Sequence, residues 1–181
     1  MIRSAPVVED AVTRTRWRAV APVLCAAATV AIGLSTWAIL DDRARDGGAW
    51  ALAAAALLVA AGLLVPRGDA RLRMVLSFAD RLFDGAILAS IALVSRTDDP
   101  VAAAGALLAL AAGFLAAYVR ARGAALGYLV EESGGTRAIR TGLISLALLA
   151  GWTQWALYVV AIWMLLVALV RASQVAKEER V

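Results

Sequence analysis

Three stretches of this chain run 20 to 22 residues without a charged side chain: residues 19–40 (22 residues), 47–66 (20) and 100–119 (20). A helix rises about 1.5 Å per residue, so each stretch covers the roughly 30 Å hydrocarbon core of a bilayer. Inside lipid every backbone N–H and C=O must find a partner, and helices satisfy them within one segment. The composition agrees. With 62% hydrophobic and 18% charged residues and a mean hydropathy of +0.79, the chain has too little polar surface for a water-soluble core.

A fourth uncharged run, residues 141–170, would measure roughly 45 Å as one helix, longer than the bilayer core. Its middle, Gly151-Trp152-Thr153-Gln154-Trp155, combines a helix-weakening glycine with polar groups and two indoles. Indoles favour the membrane–water boundary. The run therefore predicts two helices, over 135–150 and 154–174, turning at that boundary. Residues 72–95 are the remaining candidate: Asp80, Arg81 and Asp84 form a polar stripe among Val75, Leu76, Phe78, Leu82 and Phe83, followed by an apolar second half. The expected fold is all-α, a polytopic membrane protein with six transmembrane helices. Residues 1–18 form an N-terminal arm, 19–175 the six-span domain and 176–181 a tail.

Charge tests that count. Fourteen basic residues fall on the side of the termini and the second and fourth loops, against Arg43, Arg45 and Arg96 opposite. By the positive-inside rule both termini are expected in the cytoplasm, with the chain multi-pass in an inner (plasma) membrane. The basic set is 17 Arg and one Lys, a bias typical of a GC-rich bacterial genome. Its loop placement argues against a nucleic-acid partner, which wants a basic stripe on a soluble face. The arm carries Glu9 and Asp10 and lacks a short apolar core, so no cleavable leader is expected; it reads as an amphipathic surface helix or a positively charged leader.

The chain has no histidine and one cysteine, Cys25, which removes histidine bases, His-containing zinc sites and intrachain disulfides. An ionisable residue inside a span is a functional candidate. Asp80 and Asp84 lie about 40° apart on a helical wheel, one turn from each other. Two such carboxylates can hold Mg²⁺ or act as a general base, or they can pair with Arg81 or with an arginine of a neighbouring helix. Arg137 and Arg140 share a face, whereas Arg120 and Arg122 point about 200° apart if helical. These arginines read either as positive-inside anchors or as ligands for a phosphate group. The alanines of residues 51–61 read as a close-packing seam.

The run Phe78-Ala79-Asp80-Arg81-Leu82-Phe83-Asp84-Gly85-Ala86 resembles the third helix of the CDP-alcohol phosphotransferase family, in its phosphatidylinositol-phosphate synthase branch. Ala117-Tyr118-Val119-Arg120-Ala121-Arg122-Gly123-Ala124-Ala125-Leu126-Gly127 is similar to that family's S-Y-V-[RK]-A-R-A-E-A-x-G, and Gly135-Thr136-Arg137-Ala138-Ile139-Arg140 to its E-R-x-E-R. The resemblance covers roughly residues 67–175 and implies the family's six-helix bundle. It also implies that Asp80 occupies the position of the catalytic base, and that Arg120, Arg122, Arg137 and Arg140 sit where the family binds the acceptor's phosphate. The family holds divalent metal with four aspartates. Here the position one turn before Asp80 is Leu76, and counting back without gaps puts the first pair near Ala55 and Leu58. A pyrophosphate-bound Mg²⁺ pair needs several carboxylates, so the expected activity is non-catalytic and the expected metal and cofactor content is none. The leading expectation is a relative that binds a phosphorylated headgroup or an anionic lipid, or that scaffolds a membrane partner, with membrane lipids, a second copy or another membrane protein as its contacts. The alternative is an active, Mg²⁺-dependent phosphatidyltransferase using CDP-diacylglycerol in phospholipid synthesis. A small transporter is the third reading.

Overall fold

The computed structural model describes residues 6–65, 69–128 and 134–177, with side chains described for 20–65, 69–128 and 135–174. It contains six helices: α1 Pro6–Leu40, α2 Ala44–Leu64, α3 Ala70–Asp98, α4 Pro100–Ala125, α5 Gly134–Ala150 and α6 Thr153–Lys177. Among the described residues there is no strand. Among the described residues, four segments are long and apolar enough to cross a membrane: Val20–Leu40, Ala44–Leu64, Pro100–Ala125 and Thr153–Gln174. The other two helices differ for separate reasons. α3 has the length, at 29 residues, but carries the charged stripe, and α5 is only 17 residues long.

The helix ends follow from local chemistry. Asp69 and Asp99 cap α3 and α4, their carboxylates accepting from Leu72 N at 3.2 Å and Ala102 N at 2.9 Å. Pro100 stands in the first turn of α4, where a missing N–H costs nothing. The long apolar run breaks where its sequence predicts. Gly151 takes φ +74°, a left-handed conformation that glycine adopts without a Cβ penalty, and Trp152 N donates back to Ala147 O at 3.0 Å. The arm is continuous with the first span as one helix from Pro6. Of the basic residues that set the expected orientation, Arg3, Arg67 and Arg180 lie outside the described residues, as do the side chains of Arg14, Arg16, Arg18 and Lys177.

The six helices close into a ring in the order α1, α2, α5, α6, α4, α3, and α2 also touches α3 across it. Small residues make the contacts close. Ala28 and Ala31 of α1 and Ala51, Ala54 and Ala55 of α2 are all buried, as are Ala106, Ala109 and Ala116 of α4. A Cβ added at Gly48 would stand 2.8 Å from Leu149 N and 2.9 Å from Leu148 Cβ, so α5 approaches α2 only because that position is glycine. Cys25 is buried in this core. The α1–α2, α3–α4 and α5–α6 connections gather at one end of the bundle. The charged stripe of α3 faces the other half.

Candidate functional site

Asp80 begins about 15 Å along α3 from its first residue, counting the helical rise. The buried face of α3 carries Leu76, Ala79, Asp80, Phe83, Asp84 and Ile87, so helical spacing aims both carboxylates inward among apolar side chains. Their side chains are 1% and 3% exposed. An ionised carboxylate there is costly unless paired.

Three arginines do the pairing. Arg81 Nη2 and Arg140 Nη2 each donate to Asp80 Oδ2 at 2.9 Å. Arg137 Nε lies 3.3 Å from Asp80 Oδ1. Asp84 is flanked by Arg140 Nε at 2.9 Å from Oδ1 and by Arg81 Nη1 at 3.1 Å from Oδ2. The contacts to Asp84 are charge pairs whose N–H directions miss hydrogen-bond geometry. Arg137 and Arg140 are three residues apart near the start of α5, so one face of that helix reaches both carboxylates. Arg81 also donates through Nη1 to Gly113 O of α4 at 3.1 Å, which joins a third helix to the cluster.

Beside this network lies a cleft lined by Arg81, Arg120, Arg137, Arg140 and Arg171, drawn from α3, α4, α5 and α6. Arg120 Nη2 donates to Ser77 Oγ at 3.4 Å, and Arg171 Nη1 to Ala116 O at 3.2 Å. The open volume is about 10 Å³, room for one water. A phosphate-sized group therefore enters only when guanidinium ends swing aside. Of the sequence candidates, the structure brings Asp80, Asp84, Arg120, Arg137 and Arg140 together. Arg122 is exposed and does not line the cleft. Arg171, which the sequence presents only as one of the fourteen basic residues on the side of the termini, does line it. A signal for it was present: Leu157, Ala161, Met164 and Ala168 form the buried stripe of α6, and Arg171 continues that spacing.

The donor set does not fit Mg²⁺. The carboxylates of Asp80 and Asp84 are enclosed by three guanidinium groups, which repel a divalent cation and fill the directions it would need. Leu76, Ala55 and Leu58, the positions where the resemblance counts aspartates, are buried in the apolar core. Among the described residues no three His, Cys, Asp or Glu side chains converge. The oxygens of Asp80 face the three arginines, and Asp80 does not line the cleft.

No protein-family model matches the chain, and neither a curated protein nor a solved structure matches it.

Proposed function

We propose that this is a six-span protein of a bacterial inner membrane, a non-catalytic relative of the CDP-alcohol phosphotransferases, that binds a phosphorylated headgroup in the arginine cleft. The observation that carries the reading is the convergence of five guanidinium groups from four helices on one cleft. Arginine's planar fork matches phosphate oxygens, and a site at the depth of a headgroup favours an anionic lipid or a phosphorylated polyol. α3 and α5 complete the six spans: the charges of α3 are neutralised within the bundle, and the short α5 begins with the arginines that neutralise them. Both termini then lie in the cytoplasm, on the side of the arginine cleft.

In this reading guanidinium groups supply the positive charge that metal ions supply in the family the sequence resembles. Binding then requires no divalent metal. The test is calorimetric titration of the purified protein with sn-glycerol 3-phosphate in EDTA, in nanodiscs of phosphatidylcholine and of phosphatidylglycerol. Charge-assisted contacts to phosphate contribute about 1.5–3 kcal/mol each, so Arg137→Ala and Arg171→Ala should each weaken binding roughly ten- to a hundred-fold. Competition by phosphatidylglycerol identifies a lipid headgroup as the occupant; its absence identifies a soluble phosphate ester. Binding that needs Mg²⁺, or that ignores both substitutions, overturns the reading.

A further inference from the structure

At the end of the bundle opposite the arginine cleft, the three helix connections that gather there frame an open pocket of about 420 Å³. That is the size of a small-molecule site, and its lining has the usual pattern of an apolar floor with a few polar groups. Ile91, Val94 and Leu148 supply the floor. Asp42, Asp99, Ser95 and Gln154 supply the polar groups, and Trp152 and Trp155 the aromatic wall. Among the described residues no arginine or lysine lines it. The two indoles are 75% and 76% exposed, so they are not spent on packing within the bundle. Asp42 is held at φ +59° in the turn that presents it, a conformation that aspartate tolerates better than most side chains.

We infer that this pocket binds an organic ammonium group, as a free amine or quaternary ammonium solute or as the headgroup of an aminolipid. A bulky cation of low charge density needs both a counter-charge and an apolar or aromatic surface to replace its water. Carboxylates beside exposed indoles provide that combination, whereas an anion would meet two negative charges and no cation. A small inorganic cation would gain nothing from the floor or the indoles. The inference stands apart from the arginine cleft, with which the pocket shares no lining residue.

The test uses the full chain in phosphatidylglycerol nanodiscs, titrated with tetramethylammonium chloride while tryptophan emission is recorded, against sodium chloride at matched ionic strength. A saturable change with tetramethylammonium alone is expected. Asp42→Asn, which keeps the left-handed turn, should weaken it about tenfold or more, a loss of the size expected for one charge-assisted contact. Asp46→Asn, the same change at the same end but outside the lining, should leave it unaltered. Trp155→Ala should weaken binding and Trp155→Phe should restore it in part, which separates ring contact from a folding defect. Adding phosphatidylethanolamine to the nanodiscs distinguishes the sources: a shift of the curve to higher concentration marks the lipid headgroup as occupant, and an unmoved curve marks a soluble ammonium. No saturable change, or equal affinity in the Asp42→Asn and Asp46→Asn proteins, overturns the inference.

Discussion

Arg140 and Asp80 lie 60 positions apart in the chain and meet at 2.9 Å, each almost fully buried. The same guanidinium reaches Asp84 through Nε at 2.9 Å, so one arginine of α5 holds both acids of α3. α3 and α5 are the two helices too polar or too short to stand alone as spans. Their charges explain how they belong in the bundle. A buried, isolated aspartate is costly, and here each carboxylate faces two or more guanidinium groups that offset part of that cost.

Arg140→Met should therefore destabilise the protein by about 3–5 kcal/mol, because it leaves two carboxylates buried with weaker compensation. Arg122→Met, at an exposed position, should stay within about 0.5 kcal/mol of the parent. Unfolding of the detergent-solubilised protein by heat or denaturant reads the difference. Equal effects would show that the network contributes nothing particular to stability.

Glycine at 48 sets the α2–α5 approach, whereas a Cβ at Gly142 meets nothing within 4 Å. Gly48→Ala should cost about 1–3 kcal/mol through overpacking against backbone. Gly142→Ala should be neutral or stabilise by up to about 1 kcal/mol, since alanine lowers the entropy of the unfolded chain. The same unfolding assay decides, and a reversed order would contradict the packing described for these helices.

Much of the fold was legible in the sequence, for identifiable reasons. Uncharged runs give helix positions because lipid admits few charges, and the break at Gly151 shows because a helix-weakening glycine stands just before two indoles, which favour a membrane boundary. Asp80 and Asp84 stood out as a shared face through helical spacing alone. Their partners did not. Periodicity reports which face of a helix is buried, not which side chains reach it, so the sequence alone does not show that Arg137 and Arg140 of α5 meet the acids of α3. Arg120 and Arg122 could be separated by wheel angle, but only packing puts Arg120 in the cleft. Arg171 was missed because its charge reads as an anchor while its spacing reads as core. The pocket at Asp42 and Asp99 was invisible, being assembled from three turns far apart in sequence.

The orientation is open to chemical labelling. In a Cys25→Ser background, cysteines at Asp98 and Gln154 should react with an impermeant maleimide added outside intact cells, and a cysteine at Arg122 should react only after permeabilisation. That pattern is what the proposed orientation predicts from the basic residues of the loops. Protection of position 154 with reaction at 98 would contradict a turn at the outer boundary between α5 and α6.

The central claim is that the aspartates of α3 are structural counter-ions in a protein that binds a phosphorylated group without turning it over. The most direct measurement is CMP release from CDP-diacylglycerol by the purified protein, with a panel of polyol phosphates, with and without Mg²⁺. The account predicts no release above background under either condition, and no difference between the parent and Asp80→Asn. Mg²⁺-dependent CMP release that Asp80→Asn abolishes would contradict it, because that result requires Asp80 to be a free base beside a bound metal.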